Sequence, residues 1–239
     1  LTGESDADDF IQAYEYDQFK DAAAKGGFRL LEPGIGLEKN FFWFNQNTGI
    51  NTNTGKPYVN PKKLKWFRNA KFRQAVSYAI DREAIIKSIY SGRAIPAYGF
   101  VTPGNKEWYD PNTRKYPYDL ARARALLKEI GIEDRNGDGV MEDADGNPIE
   151  FVLNTNTGND ARQKTMLMIQ ADLKKLGFNV ICQPIEFNTL IDKNYITYDY
   201  DCILMGLAGG STDPSSSMNV LKSSAYTQDW FPLQKTPST

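Results

Sequence analysis

The chain contains no histidine. That absence removes Ser-His-Asp and Cys-His nucleophile systems, histidine-ligated zinc and the commonest general base together. Any catalysis would have to run on carboxylates, tyrosine, lysine or a bound metal. Cysteine is nearly absent as well: Cys182 and Cys202 are too few for a disulfide scaffold or a cysteine-rich metal site. They fall in two separate strand-like segments, so two buried thiols are expected before a bridge. There is no excess of charge, with 28 Lys plus Arg against 30 Asp plus Glu and a net of −2. Bulk electrostatics therefore give no case for nucleic acid. No apolar run is long enough to span a bilayer. Internal repeats, low-complexity tracts and a signal peptide are also missing. The chain opens at Leu1 and closes in a proline-containing tail, Phe231–Thr239, so both ends read as cuts through a longer protein.

What is present suits a folded α/β chain. Over 239 residues, 41% are hydrophobic, enough for a core in one large domain or two small ones. Apolar spacing predicts a first helix over Asp9–Lys25, ended by Gly26-Gly27. Strands are predicted at Phe28–Leu31 and Asn40–Asn45. The run Phe41-Phe-Trp-Phe44 is too uniformly apolar for an exposed edge and reads as covered on both faces. After a loop over 47–60, helices are predicted at Ala70–Ile80, behind a cap at Asp81, and behind a cap at Asp119. From Ile149 the pattern runs strand, helix, strand, helix, strand, which argues for a mostly parallel sheet flanked by helices. In such sheets ligands sit outside the carboxyl ends of the strands. Those ends are Asn154–Gly158, Glu186–Asn188 and Gly206–Asp213, all polar or glycine-rich.

Several motifs invite chemistry. In Asp134–Asp145, oxygen-bearing positions fall as in a calcium loop: Asp134, Asn136, Asp138, the Val140 carbonyl, Glu142 and Asp145, with Gly139 at the turn. Alternate residues of a tight loop converge on one point, so a structural Ca²⁺ is one reading. Asp replaces the usual bidentate Glu at the last position, and Gly146-Asn147-Pro148 blocks an exiting helix. The plainer reading is a polar hairpin turning at Asp143–Asn147. Dockerin modules use similar loops in pairs, and only one occurs here. Gly206–Gly210 lacks the Gly-Lys-Ser/Thr ending of a phosphate loop, so no nucleotide is expected. Glu186 and Asp213 could form a glycosidase carboxylate pair, though their settings suit capping as well. Asn156–Asp160 could offer N–H groups to an anion, or simply cap a helix. Phe41–Phe44 with Tyr98, Phe100, Trp108 and Tyr109 could line an apolar cleft, with most of them in the core. Lys62, Lys63, Lys65, Arg122 and Arg124 read as solvated helix faces.

At Phe72-Arg-Gln-Ala-Val-Ser-Tyr-Ala-Ile-Asp-Arg-Glu-Ala-Ile85 and Tyr90-Ser-Gly-Arg-Ala94 the chain resembles the family 5 solute-binding proteins of ABC importers, of oligopeptide-, dipeptide- and nickel-binding type. Tyr118–Gly131, Gln170–Gly177, Tyr200–Gly206 and Asp213-Pro214 support the resemblance in order. It implies a periplasmic-binding-protein-like lobe in a two-lobed, monomeric receptor, about twice this long, that closes on a solute and delivers it to a membrane permease. Residues 1–39 would end the first lobe and approach the hinge. Residues 40–239 would form the second, C-terminal lobe, truncated at its C-terminus. The receptor would sit in the periplasm or outside the cell, held to the membrane by a lipid anchor in the full-length protein. It would need no cofactor and perform no reaction.

Peptide binders of this type carry an acidic residue three positions before the Asp-Pro, which receives the peptide ammonium, and a Trp three before that. Here those positions are Gly210 and Leu207. An ammonium without a carboxylate partner in a closed cleft is costly, so recognition of a free N-terminus is not expected. The solute would be an oligosaccharide, a blocked peptide, or a peptide held by backbone hydrogen bonds. The resemblance places Phe44 and Asn45, Asn156 and Thr157, Asn188, and Leu207, Gly210 and Asp213 on the ligand side.

Overall fold

The computed structural model describes residues 7, 11, 13–208, 212–222, 225 and 228–231. A 3₁₀ turn, Ala13–Glu15, leads into α1 (Tyr16–Ala24), which buries none of its residues. The helix is thus shorter than its apolar spacing predicted, and residues 8–10 and 12 lie outside the described part. The strand expected at Phe28–Leu31 does not form: among the described residues the segment joins no sheet, and Phe28 and Leu31 are exposed. Next come β1 (Lys39–Phe44), α2 (Pro61–Arg68), α3 (Ala70–Ala79), α4 (Arg82–Ile89) and α5 (Leu120–Lys128). The second half supplies β2 (Glu150–Asn156), α6 (Asp160–Lys174), β3 (Asn179–Ile185), α7 (Phe187–Asp192), a π-helical turn (Lys193–Thr197) and β4 (Cys202–Leu207). A 3₁₀ turn, Pro214–Ser217, and α8 (Met218–Leu221) follow.

Local chemistry sets most helix starts. Asn60, Asn69, Asp81, Asp119 and Asn159 each accept a backbone N–H from the first turn of the helix they precede. Such caps are typically worth about 1 kcal/mol each. α2, which the spacing did not announce, carries an Asn-Pro start, with proline where a backbone donor is dispensable.

The four strands form one sheet in the order β1-β4-β2-β3, with β2 parallel to both its neighbours and β1 antiparallel to β4. β1 is an edge of this sheet among the described residues, which corrects the expectation from its apolar run. Its two faces are nonetheless covered, as the run predicted. Phe42 and Phe44 pack into the main core, while Trp43 joins Leu190, Tyr200, Ile203 and Met205 in a second cluster with Phe41 against it. Both faces are apolar because each meets a core, although one edge is free. Cys182 and Cys202 lie on β3 and β4, and both are registered opposite Leu153 of the intervening β2. Two strand spacings, roughly 9–10 Å, exceed disulfide reach, and both thiols are free.

The lysines of α2 do more than face water. Lys63 pairs with Asp201 at 2.6 Å, and Lys62 and Lys65 reach Asn147 and Asp145 at 2.7 and 3.1 Å. With the Trp66 indole on Asp143 at 3.0 Å, Lys62 and Lys65 fasten α2 to the hairpin before β2, while Lys63 ties it to the start of β4.

Candidate functional site

The strand ends meet at one end of the sheet. The antiparallel register puts the start of β1 beside the end of β4, with Asn40 opposite Gly206 and Lys39 opposite Leu207. The parallel end of β2, Asn156, lies at the same end. Arg162, in the first turn of α6, bridges these elements: Nη1 donates to Asn156 Oδ1 at 2.5 Å and Nε to Asn40 Oδ1 at 3.2 Å. A Cβ on Gly206 would stand 2.7 Å from Arg162 Nη2 and 2.9 Å from Asn40 Oδ1, so glycine there makes room for the guanidinium. Arg162 has no carboxylate partner among the described residues, and its Nη2 makes no hydrogen bond there. Burial pulls its pKa below the usual arginine value, with Tyr90 opposing. A cation in the first turn of a helix works against the helix dipole. That misfit was visible in the sequence and could have marked Arg162, which pattern reading passed over.

A cleft of about 1700 Å³ adjoins this rim, with Asn40 and Phe41 on its wall and Ala161 beside Arg162. Tyr98 and Phe100 line it too, Tyr98 under the Arg82 guanidinium at 5.3 Å and Phe100 under Lys39 Nζ at 4.0 Å. Tyr109 also reaches it, whereas Trp108 is exposed outside it.

The expected ligand-side residues divide sharply. Phe44 is a core residue, 4% exposed, stacked on Phe67 at 4.8 Å and edge-on to Phe72 and Phe151. Asn45 is fully buried: its amide donates to the Tyr198 and Tyr200 carbonyls, and its Oδ1 accepts from Asn47 N–H. Asn45 is thus engaged by protein and lies outside the cleft lining, whereas Phe44, though packed in the core, also borders the cleft. Asn156 is half-buried on Arg162, and Thr157 is exposed next to it. Leu207 is half-buried at the end of β4. Asn188 is exposed and donates to Glu186. Gly210 lies outside the described residues. Asp213 caps the Pro214–Ser217 turn through Ser215 N–H.

The carboxylate-pair reading fails on the same grounds. Glu186 caps α7 by accepting Thr189 N–H, and backbone hydrogen bonds hold it below the usual carboxylate range. Asp213 is likewise held low by Ser215. A general acid needs the opposite shift. At Asn156–Asp160 the capping expected as one reading is present: Asn159 caps α6 by accepting Arg162 N–H.

The calcium-loop positions do not converge. Asp134 accepts Gly137 and Gly139 N–H, Asn136 bonds Asp138, and Asp138 accepts Val140 N–H. Glu142 sits in a hairpin ladder, bridged to Glu133 and Pro148, and Asp145 is paired with Lys65. Among the described residues no three His, Cys, Asp or Glu side chains group as a metal site requires. The contacts the segment makes are those of the hairpin.

An α/β lobe with a polar rim at its strand ends and an aromatic-walled cleft is a lobe of the periplasmic-binding-protein type. Residues 1–229 match the bacterial extracellular solute-binding proteins, family 5 Middle, and the chain belongs to that family. A probable ABC transporter-binding protein of Deinococcus radiodurans is 37% identical over 153 residues, covering 62% of this chain and 26% of that protein. Oligopeptide-binding protein AppA of Bacillus subtilis is 34% identical over 149 residues, covering 61% of this chain and 27% of AppA. The structure of AppA in complex with a nonapeptide superposes with a TM-score of 0.72 at 28% identity, covering 92% of this chain and 39% of that one. The matched segments thus cover about a quarter of the length of these curated relatives, and the structural match covers 39% of the AppA chain.

Proposed function

We propose that this chain is part of the solute-binding component of an ABC importer, which captures a peptide or similar oligomer outside the cytoplasmic membrane and passes it, unaltered, to a membrane permease. Family membership and the likeness to peptide-bound AppA support this reading. The observation that carries it is Arg162. Its guanidinium is oriented by two asparagine side chains, lacks an acidic partner among the described residues, and stands where strand-end ligands bind. The free Nη2 edge suits a carboxylate, which guanidinium binds in a planar, often bidentate way. Arg162 would therefore receive an anionic end of the solute. Leu207 offers no charge to an ammonium, so the amino end would be held without an ion pair.

Calorimetry on the full-length protein with a mixed-sequence peptide pool tests this. Free-acid peptides should bind at least about tenfold more tightly than their C-terminal amides, and Arg162→Gln should abolish that difference. N-acetylation should leave affinity nearly unchanged. Equal affinity for acid and amide would overturn the role of Arg162. Failure to bind any peptide or oligosaccharide, or turnover of an aryl glycoside, would overturn the importer reading itself.

A further inference from the structure

On the sheet face away from the main core, segment 228–231 is fastened to the lobe by a buried polar knot. Gln46 N–H donates to the Trp230 carbonyl at 2.7 Å, and the Tyr200 hydroxyl donates to the Asp229 carbonyl. The Asp229 side chain is 1% exposed, as is Asn194 in the π-helical turn. Asp229 Oδ1 accepts from Asn194 Nδ2 at 2.9 Å and from the Tyr195 hydroxyl at 2.7 Å. The other polar atom of each side chain, Asp229 Oδ2 and Asn194 Oδ1, is buried without a hydrogen bond. Two acceptors left over on groups already joined through their other atoms lack one thing, a hydrogen.

We propose that Asp229 carries its proton at neutral pH, and that this proton closes a paired acid–amide bridge from Asp229 Oδ2 to Asn194 Oδ1. One proton then satisfies both orphaned oxygens, whose desolvation would otherwise be uncompensated. The surroundings favour the neutral acid. Facing groups are the Tyr195 and Tyr200 phenols, with the Trp43 indole of β1 packed beside Tyr200, while the Cys202 thiol of β4 points to the main core on the other face. Lys193 is spent on Asp199, and Arg68 stands over the Phe231 ring at 5.7 Å. No lysine or arginine pairs with Asp229 among the described residues. Burial pushes the Asp229 carboxyl upward, against the hydrogen bonds from Tyr195 and Asn194. The bridge is a latch between segment 228–231 and the π-helical turn, and it opens when the proton leaves.

The carboxyl carbon of Asp229, followed by ¹³C NMR in the full chain and assigned with Asp229→Asn, tests this. It should show the protonated form at pH 7 and titrate only above that. An ionised signal at pH 7, or a titration near the ordinary carboxylate value of about 4, would overturn the proposal. So would an ionised carboxylate with a thermal midpoint that rises with sodium, which would mean a bound cation. The linkage has a definite sign. The folded state keeps a proton that the unfolded state releases above about pH 4, so wild type should lose stability relative to Asp229→Asn as pH rises. The unfolding constant should gain about tenfold per pH unit until the folded carboxyl ionises. An Asp229→Asn protein less stable than wild type at pH 7 but not at pH 4 would contradict it. Should that variant fail to fold, the wild-type titration still decides.

Discussion

Asp143 shows what a single buried carboxylate does in this lobe. Burial disfavours its charge, yet Asn147 N–H and side chain, Asp145 N–H and the Trp66 indole all donate to it, and together they hold its pKa below the usual range. A depressed folded pKa gives stability that is present above the unfolded value, about 4, and is lost as pH falls through the folded one. Asp143→Asn should therefore cost about 2 kcal/mol at pH 7, with the gap to wild type closing below pH 4. Urea titrations at pH 7 and pH 3.5 check both parts; an undiminished gap at low pH would show that shape, not charge, holds the hairpin. The sequence placed Asp143 correctly at a polar turn, because turn chemistry is local. It could not supply Trp66, which lies 77 positions away in sequence. The same divide separates the caps at Asp81 and Asp119, both legible, from Asp172. Spacing put Asp172 on a helix, but its carboxylate accepts Asp81 N–H from the start of α4. Cys182 follows suit: its partial burial on β3, which pushes the thiol up to about 11, is a tertiary fact.

Elements were legible where their own period or caps specified them. α3 to α6 and β2 to β4 fall where spacing put them, because their apolar residues meet the core at helical or strand intervals. The strand expected over 28–31 had the right residues and no partner to pair with, and strand propensity is decided by neighbours. Phe44 packs mainly on protein for a related reason: apolar alternation says which face a side chain takes, not whether solute or protein covers it. Glycine at an element end is firmer ground. Gly177 closes α6 at φ +90, and a Cβ there would stand 2.5 Å from the Gly139 carbonyl oxygen. Gly92 has φ +73 with nothing near its missing Cβ. Gly92→Ala should cost about 1 kcal/mol for the left-handed backbone alone. Gly177→Ala should cost about 2–3 kcal/mol, since it also pushes the 134–141 loop off α6. Equal losses in denaturant titrations would mean that loop is not seated on Gly177.

For the whole molecule, the rim is built from ends of separate strands. The alternation of strands and helices was enough to predict where it lies. It was not enough to predict what stands there, because Arg162 matters through Asn40, 122 positions earlier in sequence. On the proposed reading the rim would cover a solute from one side, and the segments matched to curated relatives cover about a quarter of their length. A charge pair open to water is worth little, and one enclosed between two walls is worth several times more. If capture works by closure over the rim, these 239 residues alone should bind a free-acid peptide at least about tenfold more weakly than the full-length protein. The residual binding should also fade between 0.05 and 0.5 M salt, since exposed pairs are screened within a Debye length of about 10 Å at 0.1 M and less above it. In the full-length protein the enclosed pair should hold much of its strength over the same range. Calorimetry on both proteins across that series separates the cases: equal affinity and equal salt dependence would mean that Arg162 needs no second wall, and that this lobe is a complete receptor by itself.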